Sequence, residues 1–228
     1  MRQTWSTLLF AHWPVSAEGI APLLPPGLEL ETWDGSAWIG IVPFRMEDVR
    51  LHGLPPIPGT GSFPELNVRT YVTAGGKPGV WFFSLDATAP PAVLAARAAF
   101  RLPYYTARMR CDAHGEAISY ASRRRKLRQD APCAEFAARY RPVGPAFTPR
   151  PGTLEYFLTE RYCLYAPSAG GRLLRADITH APWRLRPAEA KITTNTMASA
   201  AGIALPDSAP LLHYSERQEA LAWWPERV

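Results

Sequence analysis

Twenty-four prolines are scattered through the 228 residues, and this constrains the chain more than any other feature. Proline fixes φ and donates no backbone hydrogen bond, so it interrupts helices and is confined in sheets to edges, strand starts and bulges. The spacing therefore predicts many short elements joined by stiff turns, with strands dominating and no helical bundle. Hydrophobic residues make up 47% and charged residues 20%, the balance of a folded globular chain and not of a disordered one. We read residues 1–228 as one domain.

The segment 63–72, FPELNVRTYV, is the most informative strand. Side chains alternate along a strand, so Leu66, Val68, Thr70 and Val72 share one face and Glu65, Asn67, Arg69 and Tyr71 the other. One face is apolar and the other is a row of hydrogen-bonding groups. That row faces either water or a site, and we expect it to face inward at its Glu65 end, with the apolar face buried under a helix at 90–100.

Other strands are expected at TWSTLLFAHWPV, SAWIGIVPFRM and VWFFSLDA, the second apolar on both faces and therefore central. Later ones are YYTARMRCD, EAISYAS, EFAARYRPV, LEYFLTERYCLYA and GRLLRADITHAPW, in a mostly antiparallel sheet. A short helix capped by Ser16 fits SAEGIAPLL, Asp34-Gly35 is a hairpin signal, and 89–101 is the best helix. In AEAKITTNTMASAAGI a strand gives way to a short helix before Gly202.

The net charge of +5 includes the run Arg123-Arg124-Arg125-Lys126-Leu127-Arg128, read as a solvated loop between strands. No RNA-binding aromatic motif, phosphate-binding glycine loop or zinc spacing accompanies it, so no nucleic acid partner is expected. Cys111, Cys133 and Cys163 are odd in number and far apart, which suits reduced thiols in a cytoplasmic protein. The apolar start is too short to span a membrane, and no membrane partner is expected. His12, His180 and His213 show no metal-ligand spacing, and no GxSxG elbow is present; no metal and no cofactor are expected.

The words LLFAHWPV, LLPPGLEL, VPFRM, FPELNVRTYV, GVWFFSLDA, LPYYTARM, LTERYCLY and LLHY, in this order, resemble the DUF2071 (YqjF-like) family, which is related to acetoacetate decarboxylase. The resemblance runs from about Trp5 to Trp224. It implies a β-rich α+β fold, an acetoacetate-decarboxylase-like closed antiparallel β-barrel with a few short helices around a ligand cavity. The related decarboxylases form a Schiff base through a lysine. Here Leu102 and Pro103 stand near the expected lysine position, and Lys77, Lys126 and Lys191 all lie elsewhere. The family's pairing of an aromatic residue, a spacer and a glutamate is matched by Phe63-Pro64-Glu65, which makes Glu65 the catalytic candidate, as general acid or base. A second glutamate, expected on SAWIGIV, is replaced there by Ile39 and Gly40.

Around Glu65, the candidate ligand-binding residues are Arg45, Asn67, Arg69, Asp86, Arg97, Tyr104 and Arg108. Arginines suit a carboxylate, and Arg45 and Asp86 sit at strand ends where a cavity mouth or an ion pair is reachable. The function this implies is binding or transforming a small anionic or carbonyl-containing molecule without a Schiff-base lysine. The alternative is a structural or interaction protein whose barrel is filled by its own side chains. A homo-oligomer is compatible with either.

Overall fold

The computed structural model describes residues 1–50, 62–88, 100–125, 133–168 and 170–228. Strand β1 (Arg2–Val15) leads through helix α1 (Ala17–Ile20) and a 3-10 turn to β2 (Glu29–Leu30), β3 (Ala37–Arg50), β4 (Ser62–Ala74) and β5 (Lys77–Ala87). Then come β6 (Tyr104–His114), β7 (Ala117–Arg124), β8 (Glu135–Pro142), helix α2 (Leu154–Thr159), β9 (Cys163–Pro167), β10 (Leu173–His180), β11 (Arg186–Asn195), β12 (Leu211–Ala222) and β13 (Glu226–Arg227). The strand-dominated architecture agrees with the proline spacing. Ser16 accepts from the Glu18 N–H at 3.2 Å and caps α1, Asp34 and Gly35 both take positive φ in their hairpin turn, and Gly202 ends a 3-10 turn at φ 78°.

The order β13-β10-β9-β5-β6-β7-β8-β11-β12-β1-β3-β4-β2 closes on itself through the additional pairings β4–β5 and β10–β12. Two rings of strands result, sharing β12, β1, β3, β4 and β5. The larger closes through β6, β7, β8 and β11, and the smaller through β9 and β10. β5 makes the fork possible: Val80 and Trp81 pair with β9, whereas Leu85 to Ala87 pair with β6. Both of these pairings are parallel within the mostly antiparallel sheet, because β5 continues two sheets in the direction its hairpin with β4 has set.

The shared strands have one face in each ring. Leu9, Ala11, Ile39, Ile41, Leu66 and Val68 pack with Cys111, Ile118, Tyr120, Phe136 and Tyr140 inside the larger ring, which is filled by side chains. So β6 to β8 and the turn at Met197–Ala198 cover the apolar face of β4. The helix expected as its cover, at 89–101, lies almost wholly outside the described residues. A second difference is LEYFLT, expected as strand, which is α2: the Thr153 hydroxyl accepts from the Tyr156 N–H at 3.3 Å and starts a helix that ends before Arg161. Arg123 and Arg124 belong to β7 and not to a loop.

Three irregularities bend the shared sheet around the smaller ring. Between Ser6 and Ala11, β1 has one residue more than β3 opposite it, and Thr7 takes φ 51°. The register of β3 against β1 shifts at Asp48, also at φ 51°, and that of β5 against β4 shifts at Phe83. Each extra residue reverses which alternate side chains face inward. Gln3 and Trp5 are followed on the same side by Leu8 and Phe10, and Val80 and Phe82 by Leu85.

Closure of the smaller ring depends on Gly79. A Cβ there would stand 2.6 Å from Cys163 Sγ and 2.9 Å from the Cys163 carbonyl oxygen, whereas one at Gly19 would meet nothing within 4 Å. Gly79→Ala should therefore cost about 1–3 kcal/mol in chemical denaturation through overpacking, and Gly19→Ala should be neutral or mildly stabilising. Equal effects would contradict the close approach of β5 and β9.

Candidate functional site

The smaller ring encloses a cavity of about 100 Å³. An engineered apolar cavity of about 150 Å³ binds benzene, so a space of this size suits a small organic molecule. Its walls are mostly apolar: Leu8, Phe10, Val42, Phe44, Met46 and Leu164 all face it. Into these walls β4 projects Glu65, Asn67 and Arg69 in succession. β4 carries no bulge of its own, so its polar row runs unbroken along the cavity and on to the buried Tyr71.

Each member of the row is seated differently. The backbone of Glu65 is anchored from the filled ring, where the buried Tyr120 hydroxyl donates to its carbonyl at 2.7 Å. Its side chain, 2% exposed, accepts from the Tyr104 hydroxyl at 3.3 Å. Asn67 is buried with its Oδ1 unpartnered by any described residue. Arg69 donates from Nη2 to the Leu158 carbonyl at 3.1 Å and lies 5.4 Å from the centre of the Phe10 ring.

Behind Arg69, the Tyr71 hydroxyl and His12 Nε2 are 2.7 Å apart and both side chains are fully buried. Burial lowers the His12 pKa well below its ordinary value, with Arg69 and His213 adding to the effect, so the ring is neutral. Burial raises the Tyr71 hydroxyl, opposed by the nearby Arg69. Gly40 makes room here: a Cβ would lie 3.1 Å from His12 Nε2 and 3.3 Å from Arg69 Cγ. The position where the resemblance implies a second glutamate thus leaves space for a histidine and an arginine.

The structure gathers Glu65, Asn67, Arg69 and Tyr104 around the cavity and places three other candidates elsewhere. Arg45, on the opposite face of β3, donates to the Cys111 carbonyl and to Ser62 Oγ at 3.2 Å. Asp86 would follow Val80 and Phe82 inward by simple alternation, but the shift at Phe83 turns it to the other side. There it receives Arg124 Nε and Nη2 at 3.0 and 2.7 Å, and Arg124 lies 3.7 Å from the Tyr105 ring centre. Arg108 is exposed on the outer face of β6. Arg97 lies outside the described residues. Leu102 lines the cavity, and no described lysine does: Lys77 pairs with Asp177 at 2.8 Å and Lys191 is exposed.

Sequence reading missed Arg161 and His180 in the wall, which Trp5 and Trp183 share. Arg161, just after α2, pairs with Glu31, donates from Nε to the Phe157 carbonyl at 2.7 Å and lies 5.2 Å from the Tyr71 ring centre. Trp5 and Trp183 stack at 5.8 Å, and His180 joins them at the end of β10. The buried Glu160 holds Trp183 by accepting its backbone N–H at 2.8 Å, and it also accepts the Tyr162 hydroxyl. Among the described residues no group of three or more His, Cys, Asp or Glu is arranged to hold a metal ion, and no helix is long and apolar enough to cross a membrane.

The buried histidines give a pH dependence. His12 and His213 have folded pKa values below the ordinary one, chiefly through burial. The unfolded chain then binds more protons below about pH 6.5, so their contribution is fully present above that pH and is lost as pH falls through it. Stability should drop between pH 7 and 5.5 by up to about 1.4 kcal/mol per pH unit per histidine, and His12→Gln should flatten this slope. Identical slopes for the two proteins in urea titrations would show that His12 is protonated at no cost.

Comparisons with known proteins agree with this fold. The DUF2071 family, described as an uncharacterized conserved protein, matches residues 2–219. The uncharacterized protein YqjF of Bacillus subtilis (strain 168) is 50% identical over 223 residues, 98% of this chain and 90% of that protein. Among solved structures, acetoacetate decarboxylase from Legionella pneumophila superposes with a TM-score of 0.64 at 13% identity, covering 100% of this chain and 86% of that one. The enduracididine biosynthesis enzyme MppR complexed with pyruvate gives 0.66 at 12% identity, over 99% and 89%. An acetoacetate decarboxylase-like enzyme from Sphingomonas wittichii RW1 gives 0.63 at 12%, over 100% and 92%. These distant similarities show a common fold, and the match along nearly its whole length shows that the chain belongs to the DUF2071 family.

Proposed function

We propose that this protein binds, and through Glu65 transforms, a small anionic or carbonyl-containing molecule held in the cavity, without forming a Schiff base. The observation that carries this reading is the orientation of the β4 row: Glu65, Asn67 and Arg69 all line a mostly apolar cavity. A concave, mostly apolar space with a few convergent polar groups is the usual form of a small-molecule site. The roles follow from chemistry. Glu65, beside the Tyr104 hydroxyl, gives or takes a proton; Asn67 hydrogen-bonds a carbonyl or hydroxyl; Arg69 attracts the anion. Leu102 at the implied lysine position and the absence of a lysine among the described cavity residues support chemistry that does not pass through an imine.

Two experiments test this. Reduction with borohydride in the presence of acetoacetate should leave no mass adduct on Lys77, Lys126 or Lys191, and a stable adduct on any of them would overturn the non-covalent reading. Glu65→Gln should keep the fold, with thermal stability unchanged or slightly raised, while binding or turnover of small keto acids falls about tenfold or more. Unchanged binding in a folded Glu65→Gln protein would remove Glu65 from the site. Unfolding, at a cost of about 3–5 kcal/mol, would make it a structural partner instead.

A further inference from the structure

We infer that Arg69 and Arg161 form the seat of a carboxylate that the ligand keeps, so that the acid group is a recognition handle and not a leaving group. This rests on reading the cavity as a small-molecule site. The two guanidinium groups arrive from different elements, β4 and the connection between α2 and β9, and both line the cavity. They lie 5.7 and 5.2 Å from the centre of the same Tyr71 ring. Glu31 balances the charge of Arg161.

Arg69 has no carboxylate partner among the described residues. Its Nη2 donates to the Leu158 carbonyl, its Nε is buried without a partner, and the rings of Phe10 and Tyr71 lie beside it. Aromatic faces attract a cation but do not cancel its charge. Glu65 is four residues away in the same row, about 13 Å along the strand, on the side of Tyr104. Neutral His12 adds no negative charge behind the pair. Among the described residues, then, the charge of Arg69 is balanced by no anion, a costly state that a bound carboxylate relieves through the fork geometry of guanidinium.

The chemical consequence runs against decarboxylation. As a carbon–carbon bond breaks to release CO2, negative charge leaves the carboxylate and moves to the α-carbon. Cations fixed at the carboxylate stabilise the ground state more than that transition state. No lysine among the described cavity residues is available to receive the electrons as an enamine. The ligand class is a short carboxylic acid whose second hydrogen-bonding group reaches toward Asn67, the neighbouring side chain of the row.

The test compares pyruvate and acetoacetate with their neutral amides, pyruvamide and acetoacetamide, by calorimetric titration of the native protein. At least one acid should bind about tenfold or more tightly than its own amide. Arg69→Gln should bring that ratio close to one, and Arg69→Lys should restore part of it. Amides that bind as well as the acids would overturn the carboxylate seat while leaving the small-molecule reading intact. Binding of none of the four at millimolar concentration would remove both. If Arg69→Gln does not fold, the acid-to-amide ratio of the native protein decides alone. In parallel, excess protein should release labelled CO2 from carboxyl-13C acetoacetate no faster than buffer does, and accelerated release would overturn the inference.

Discussion

Five strands of this protein each serve two interiors, and the rest of the structure follows from that constraint. A regular strand offers each face every second side chain, yet β1 and β5 must follow a curved wall around a cavity while keeping a packed face against β6 to β8. Extra residues in β1 and β5 meet both demands by bending the strand and exchanging its faces. β4 runs straight between them, which is why its polar side chains form one continuous row. The filled ring holds that row in place: Tyr120 reaches through the core to the Glu65 carbonyl, and Tyr140 donates to the carbonyl of Thr7 at the bulge in β1.

The two rings have different electrostatic characters. In the filled ring, buried hydroxyls are spent on backbone carbonyls, and burial pushes the pKa values of Tyr120 and Tyr140 well up. In the ring with the cavity, guanidinium groups rest on aromatic faces, and Asn67 Oδ1 and Arg69 Nε have no partner among the described residues. Unsatisfied buried polar atoms are costly and tend to persist at functional sites. The buried Asp86–Arg124 pair is of another kind, a two-point contact that fixes the end of β7 to β5 away from the cavity.

The legibility of the sequence divides along the same line. The two faces of β4 could be read because its alternation is unbroken, and the Asp34-Gly35 and Gly202 turns because positive φ restricts residue choice. The fate of Asp86 could not be read, since alternation from Val80 points it inward and the shift at Phe83 is set by pairing with β4. Arg45 falls on the face of β3 turned away from the cavity, where it donates to the Cys111 carbonyl, although its place at the end of an apolar strand suggests a cavity mouth. Arg161, Trp183 and His180 come from connections and strand ends whose approach to the cavity depends on long-range closure through β9 and β10. LEYFLT carries a strand-like composition, and only the cap at Thr153 signals its helix.

The central claim is that the row on β4 faces an open, ligand-sized space. A ligand-free crystal structure at a resolution that shows ordered water tests it most directly. The account predicts density for water or a small molecule against Asn67 and Arg69, within the ring closed by β9 and β10 and with Glu65 out of bulk solvent. A ring packed solid by its own aromatic side chains, with Glu65 turned out into solvent, would contradict it.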